Sequence, residues 1–183
     1  FATGALPVAV GSATRVISFL NEHKKSYEAV LEFGSKTDTA DKDGDQIETA
    51  PLPSLEVLNN GNLLQEFVGE HIQKVPLYSA IKVKGRRLYD YARSGQQVET
   101  PTRRVLIHSI DLLDCDKTHI RFKVVVSRGC YIRALGEEIA ERMGSVGHLV
   151  ELKRLESGPF SLASKLNFPQ DMTLVDIRTA QRN

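Results

Sequence analysis

Two long segments of alternating character, residues 103–116 and 119–127, are separated only by Lys117 and Thr118. Alternate positions of the second segment are apolar: Ile120, Phe122, Val124 and Val126. A period of two is typical of a strand with one buried face. Strands joined by so short a connection can pair only antiparallel. The chain is therefore predicted to fold around an antiparallel hairpin, which requires a sheet and a layer that covers its apolar face.

Other segments extend this pattern. Residues 26–34 alternate in the same way, with Tyr27, Ala29, Leu31 and Phe33 on one face, and residues 148–156 are predicted to form a further strand. Residues 131–143 carry apolar side chains at helical spacing and end at Gly144. No regular alternation of strand and helix is present, so a parallel α/β sheet is not favoured. We expect one α+β domain over residues 1–183, with a mixed, mainly antiparallel sheet and flanking helices.

Residues 36–53 are rich in Asp, Thr and Gly and end at two prolines, which predicts an exposed acidic loop. A calcium loop of the EF-hand type with its glycine at Gly44 would begin at Thr39. It would require a glutamate where Ala50 stands, so the template fails at its last ligand. No metal site is predicted here.

The net charge is only +1, but residues 82–104 hold seven basic and two acidic side chains, a local excess of five. This segment fits two interpretations, a solvated surface or a surface that follows a phosphate backbone. Tyr78, Tyr89 and Tyr91 lie among the cations, and tyrosines can stack on unpaired bases, which tilts the balance toward RNA.

Several classes of protein are disfavoured. No apolar run approaches the roughly 18 residues that span a bilayer, so no membrane association is expected. Cys115 and Cys130 have no paired spacing, which disfavours a zinc site or a disulfide framework and fits a reduced cytoplasm. The first residues lack the basic region of a signal peptide, and the missing Met indicates a processed or trimmed start. The glycine-rich nucleotide motifs, the G-x-S-x-G elbow and H-E-x-x-H are absent as well.

Four strings, in order along the chain, carry a more specific signal. Residues 1–7 read F-A-T-G-A-L-P, and K-S-Y at 25–27 is followed by T-D-T-A-D-K-D-G at 37–44. Residues 75–82 read V-P-L-Y-S-A-I-K, and S-R-G-C-Y-I-R at 127–133 is followed by G-H-L at 147–149 and L-K-R-L at 152–155.

Together these strings resemble the TruB family of pseudouridine synthases, which isomerise a uridine in the T-loop of tRNA. Val75 stands where the family usually has a proline. The first string is similar to the end of the family's G-x-L-D-P-x-A-T-G-x-L motif, so the family's nucleophilic aspartate would lie two residues before Phe1. We therefore expect the chain as printed to be inactive. The resemblance implies an aspartate nucleophile, base flipping and no cofactor.

The resemblance also assigns site residues. Arg133 would pair with the nucleophilic aspartate, Tyr27 would stack on the flipped base and assist proton transfer, Tyr131 and Leu152 would line the uracil pocket, and Lys82 would contact phosphate. Pattern alone allows a core role for Tyr27 and Leu152 and a solvated role for Lys82. Arg133 falls in the first turn of the predicted helix, where a cation opposes the macrodipole, so physical chemistry also predicts an acidic partner for it.

Three functional alternatives follow from these strings. The first is a stand-alone, cytoplasmic tRNA synthase that binds the T-arm and needs no obligate protein partner. The second is a guide-RNA-dependent synthase of the dyskerin type, and the third is a non-catalytic RNA-binding or RNA-folding module. Family members commonly continue into a C-terminal RNA-binding domain, which is not found before Asn183.

Overall fold

A twisted sheet with one long helix on its apolar face forms the centre of the molecule. The computed structural model describes residues 1–15, 24–58 and 62–163, so the prediction of one domain over 1–183 is only partly covered. The strands are β1 (Ala2–Gly4), β2 (Lys24–Phe33), β3 (Ser35–Thr37), β4 (Gln46–Thr49), β5 (Gly69–Lys74), β6 (Lys82–Val83), β7 (Arg86–Arg87), β8 (Thr102–Cys115), β9 (His119–Ser127), β10 (Gly147–Ser157) and β11 (Phe160–Ser161). The helices are α1 (Leu55–Leu58), α2 (Asn62–Gln65), α3 (Leu88–Arg93) and α4 (Ile132–Arg142), and a 3₁₀ turn occupies Gly11–Arg15.

The strand order in the main sheet is β1-β10-β2-β9-β8-β5, with β11 paired to β10. Every pairing is antiparallel except that of β1 with β10, which is parallel. This confirms the predicted α+β class with a mixed, mainly antiparallel sheet. The predicted hairpin is β8 and β9, and the predicted helix is α4.

The core lies between this sheet and α4. The alternating residues of β9 are fully buried, and Ala29, Leu31 and Phe33 of β2 face the same side. Leu135 and Ile139 of α4 cover them from above. Burial of apolar surface at about 25 cal/mol per Å² makes this contact the main source of stability. No helix among the described residues is long and apolar enough to cross a membrane.

Residues 36–53 are not the uniformly exposed loop that composition predicts. β3 and β4 pair as a short hairpin, and the turn between them packs against β10. The Lys42 N–H donates to the Leu149 carbonyl at 2.9 Å, and the Leu149 N–H donates to the Ala40 carbonyl at 3.1 Å. Because residues 40–42 act as an added strand, Ala40 and Asp41 are buried, and the predicted exposure is wrong for them.

The turn between β8 and β9 depends on Asp116. Its Oδ1 accepts hydrogen bonds from the N–H groups of Thr118 at 2.7 Å and His119 at 2.8 Å. The bond from the Thr118 N–H is the largest of the causes that lower the pKa of Asp116 from 3.8 to about 2. A carboxylate with a lowered pKa stabilises the fold above its unfolded pKa, and this contribution is lost as pH falls through the folded value.

We therefore expect Asp116→Asn to flatten the pH dependence of stability between about pH 4 and pH 2. The measurement is the urea midpoint across that range for both proteins. Asp111→Asn, which removes an exposed carboxylate of β8, is the control. Identical pH profiles for wild type and Asp116→Asn would contradict the assignment.

Candidate active site

Arg133 joins three segments that are distant in sequence. Its Nη1 donates to the Thr39 carbonyl at 2.8 Å and to Asp41 Oδ2 at 2.9 Å, and its Nη2 donates to the Tyr78 carbonyl at 2.8 Å. The residue occupies the first turn of α4, where the positive end of the helix dipole favours a nearby anion. The acidic partner expected on those grounds is present as Asp41. Such a guanidinium has a fixed position and orientation.

Asp41 is a buried carboxylate whose side chain is 9% exposed, against 21% for Arg133. Its Oδ1 accepts bonds from the Thr39 hydroxyl at 2.7 Å and from the Asp43 N–H at 3.1 Å, while Oδ2 faces Arg133. A buried charge requires this degree of pairing, because an unpaired carboxylate would lose its hydration without compensation. Sequence analysis missed the residue because the polar composition of its loop indicated solvent exposure.

Tyr78, in the third of the segments that meet at Arg133, is hydrogen-bonded to the loop that contains Asp41. Its hydroxyl donates to Asp38 Oδ2 at 2.8 Å, and Asp38 Oδ1 accepts from the Asp45 N–H at 3.0 Å. The hydrogen bond to Asp38 is the largest cause that raises the pKa of Tyr78, so the phenol remains a donor at neutral pH. The Tyr78 carbonyl is thereby held where Arg133 binds it.

Tyr27 and Leu152 lie on neighbouring strands of the main sheet. Leu152 of β10 is paired with Ala29, two residues from Tyr27 on β2, and with Ala2 of the parallel strand β1. Phe1, Tyr27 and Leu152 are each partly buried against the core cluster. The structure therefore brings these two predicted pocket residues close to the N-terminal strand. Both also pack partly against the core, which is the role that their sequence pattern alone allowed.

A cavity of about 350 Å³ opens beside these strands. Its lining includes Phe1 and Thr3 of the N-terminal segment, Lys42 of the Asp41 loop and Leu152 of β10. Charged residues of both signs complete the wall. This concave surface links the start of the chain to the loop that binds Arg133. A larger cavity, of about 580 Å³, is lined by Leu77, Ala92 and residues 95–99, none of which the sequence singled out as a site residue.

Tyr131 is the residue that precedes α4, and it is half-buried. Its backbone groups bind the side chain of Gln73, whose Oε1 accepts from the Tyr131 N–H at 2.7 Å and whose Nε2 donates to the Tyr131 carbonyl at 3.1 Å. Sequence analysis did not identify Gln73. Gln73 lies two residues before Val75, in a strand whose other residues are exposed or half-buried. The sequence therefore gave no indication that its side chain is buried.

Lys82 lies apart from this cluster, exposed on the small β6–β7 hairpin. Two of the tyrosines near it are in contact with arginine side chains. The guanidinium groups of Arg87 and Arg93 lie over the ring of Tyr89, with 5.6 and 5.4 Å from the guanidinium carbon to the ring centroid. Arg86 lies over Tyr91 at 4.9 Å. Tyr89 and Tyr91 therefore bind cations in this structure, and the resulting positive surface can contact phosphate.

Within residues 1–15, 24–58 and 62–163, no group of three or more His, Cys, Asp or Glu side chains could hold a metal ion.

Comparison with known proteins gives a consistent result. The family model for the N-terminal domain of TruB family pseudouridylate synthases matches residues 1–132. The tRNA pseudouridine synthase B of Hydrogenovibrio crunogenus is 41% identical over 158 residues, which make up 86% of this chain and 52% of that protein. The enzyme of the same name from Caldanaerobacter subterraneus is 41% identical over 164 residues, 89% of this chain and 58% of its own length. The chain thus spans between half and three fifths of these relatives.

Solved structures show the same fold. A chain of the "Cbf5-Nop10-Gar1 Complex" superposes with a TM-score of 0.61 at 29% identity and covers 87% of this chain and 38% of its own. A chain of an "H/ACA RNP bound to a substrate RNA containing 2'-deoxyuridine" gives a TM-score of 0.58 at 26% identity, over 87% of this chain and 36% of its own. The motif order along the sequence, the sheet topology and these similarities agree.

Proposed function

The chain belongs to the TruB family of pseudouridylate synthases, and on that basis we propose that it isomerises a uridine in the T-loop of tRNA to pseudouridine. The nucleophile in this proposal is an aspartate two residues before Phe1. The reaction breaks the bond from C1′ to N1, rotates the uracil and joins C5 to C1′. The hydrogen at C5 leaves as a proton and N1 gains one, so atoms balance without a cofactor.

The Arg133 junction is the observation that carries the proposal. A guanidinium has five N–H donors, and the three hydrogen bonds described for Arg133 leave two donors for a second carboxylate. The backbone nitrogen of Phe1 lies 3.5 Å from Asp43 Oδ2, on the loop that also holds Asp41. Two extended residues reach about 7 Å. An aspartate at that position is therefore within reach of the loop that binds Arg133.

The remaining site residues have defined tasks in the proposal. Tyr27 stacks on the uracil after the base has left the T-loop stack, and this contact lowers the free-energy cost of flipping. Tyr27 also assists proton transfer at C5. Tyr131 and Leu152 line the uracil pocket. Lys82 contacts phosphate from its exposed hairpin. Asp41 holds Arg133 in place and is not the nucleophile, because both of its oxygens already accept hydrogen bonds within the fold.

We further propose that the enzyme acts in the cytoplasm on the T-arm of tRNA without an obligate protein partner or guide RNA. The curated relatives, which share up to 41% identity, are named as tRNA pseudouridine synthases, which favours a tRNA substrate. The solved structures named above contain protein partners or an RNP, so a guide-dependent enzyme is the alternative to be tested.

Tritium release from T-arm RNA labelled at uridine C5 tests this function. A chain extended N-terminally through the L-D-P segment should release tritium when it is supplied with RNA alone, because the proposed nucleophile is then present. The same chain with that aspartate changed to asparagine should bind the RNA and release none. RNA labelled only at uridines outside the T-loop is the control.

The other outcomes discriminate between the alternatives. Tritium release that requires an added guide RNA would favour the dyskerin-type enzyme. Tight binding of the T-arm without release by the extended chain would favour a non-catalytic RNA-binding module and overturn the proposed function.

A further inference from the structure

Gln73 is an unusual residue for its place in the fold. It lies on β5, at the edge of the main sheet, yet it is 0% exposed, while Ile72 beside it is 66% exposed. A buried amide side chain destabilises a fold unless its donor and acceptor are both satisfied. The burial of Gln73 must therefore be compensated by specific hydrogen bonds.

Two of those bonds go to the backbone of Tyr131, and the side chain also contacts the thiol of Cys130. Gln73 accepts from the Tyr131 N–H at 2.7 Å and donates to the Tyr131 carbonyl at 3.1 Å, as a neighbouring strand would. Tyr131 precedes the first turn of α4, has φ −100° and ψ 110°, and provides no side-chain cap for the helix. The Tyr131 carbonyl also accepts the first helical bond, from the Leu135 N–H at 3.0 Å. Gln73 adds a contact from outside the helix and binds the Tyr131 N–H, which precedes the helical bonds.

A second contact fixes the same helix to the same strand. His71, two residues before Gln73 on β5, approaches Glu138 of α4, with 2.6 Å from Nε2 to Oε2. β5 thus contacts α4 at Tyr131 and, about two turns later, at Glu138, and these two contacts limit the rotation of the helix about its axis. Arg133 follows Tyr131 by two residues and shares that rotation.

We propose that Gln73 is a positioning residue for the uracil pocket: its side-chain amide clamps the Tyr131 peptide and so aims both the Tyr131 ring and the Arg133 guanidinium. This inference rests on the proposed function for its catalytic consequence. The clamp itself is a property of the fold and can be measured separately.

The first measurement is hydrogen exchange at the Tyr131 amide in the chain described here. Gln73→Met keeps a similar volume and removes both hydrogen bonds to Tyr131, so exchange at the Tyr131 amide should accelerate about tenfold or more. Gln65→Met is the matched control, because Gln65 donates a single bond to the Ile110 carbonyl, on β8, and does not reach α4 in the described part of the chain. Unchanged exchange at Tyr131 in Gln73→Met would overturn the clamp.

The second measurement is single-turnover tritium release in the N-terminally extended chain. Gln73→Met should slow the chemical step by about 10- to 100-fold, with the Kd for T-arm RNA within about twofold of wild type.

Gln73→Glu adds a readout that a purely structural role would not give. Its ionised carboxylate accepts from the Tyr131 N–H but faces the Tyr131 carbonyl, whereas the protonated acid can donate to that carbonyl.

The activity of Gln73→Glu relative to wild type should therefore rise as pH falls from about 8 to about 5, and that of Gln65→Glu should not. A flat ratio for Gln73→Glu, or an unchanged chemical step in Gln73→Met, would overturn the positioning role. If Gln73→Met fails to fold, Gln73→Glu at low pH provides the same test. If the extended wild-type chain releases no tritium, the proposed function fails, whereas the exchange data still decide whether the clamp exists.

Discussion

Replacing Asp41 with alanine is expected to lower the free energy of unfolding by about 3 kcal/mol. Removal of one partner of a buried ion pair leaves the other charge poorly compensated, and here Arg133 would lose the only carboxylate to which it is hydrogen-bonded in the described part of the chain. The value lies at the lower end of the range for buried pairs because the Arg133 side chain retains 21% exposure and can recruit water. Urea denaturation of the chain measures the effect.

Two variants make the Asp41 test specific. Asp41→Asn keeps an acceptor near Nη1 but removes the charge, so a smaller loss of about 1–2 kcal/mol is expected. Asp45→Ala alters an exposed carboxylate of the same loop and should change stability by no more than about 0.5 kcal/mol. Equal effects of Asp41→Ala and Asp45→Ala would show that the loop is as solvated as its composition suggests.

Replacing Gly4 with alanine is the second large effect, and it should lower both stability and catalysis. Gly4 has φ +110°, and an added Cβ would lie 2.1 Å from the Arg154 carbonyl oxygen. Strand β1 would have to leave β10, where Ala5 and Arg154 now exchange hydrogen bonds of 2.8 and 2.6 Å. We expect a loss of about 2–5 kcal/mol in stability from strain and overpacking.

In the extended chain the same change should reduce tritium release by about a hundredfold or more, because it displaces the strand that follows the proposed nucleophile. Gly11→Ala is the control: Gly11 also has positive φ, at +63°, but among the described residues an added Cβ meets nothing within 4 Å. It should cost only about 1–2 kcal/mol. If Gly4→Ala released tritium at the wild-type rate, β1 would not position the nucleophile.

Much of the fold could be predicted because its signals are local. The alternation in β2 and β9, the short connection after β8 and the helical spacing in α4 are each readable within about a dozen residues. The sheet order was not predicted, because pairing between strands far apart in sequence depends on packing. The parallel contact of β1 with β10 joins residues about 150 positions apart, such as Ala2 and Leu152.

The basic segment, residues 82–104, was likewise only partly predictable from the sequence. Its charge excess was visible in the sequence, but the stacking of Arg87 and Arg93 on Tyr89 was not. Composition indicated tyrosines that are free to stack on bases, whereas the structure places guanidinium groups over two of the rings. Whether those cations bind phosphate remains the prediction stated above.

By itself, the sequence determined the α+β class, the family and the need of Arg133 for an acidic partner, because strand and helix periods, motif order and a helix dipole are all properties of short segments. Only the tertiary structure decided that the partner is Asp41, 92 positions away, and that Gln73 holds Tyr131 across 58 positions. The physical reason is burial: a polar side chain in a polar segment is predicted to be solvated, and it becomes a fixed structural charge or clamp only when a distant strand removes it from water.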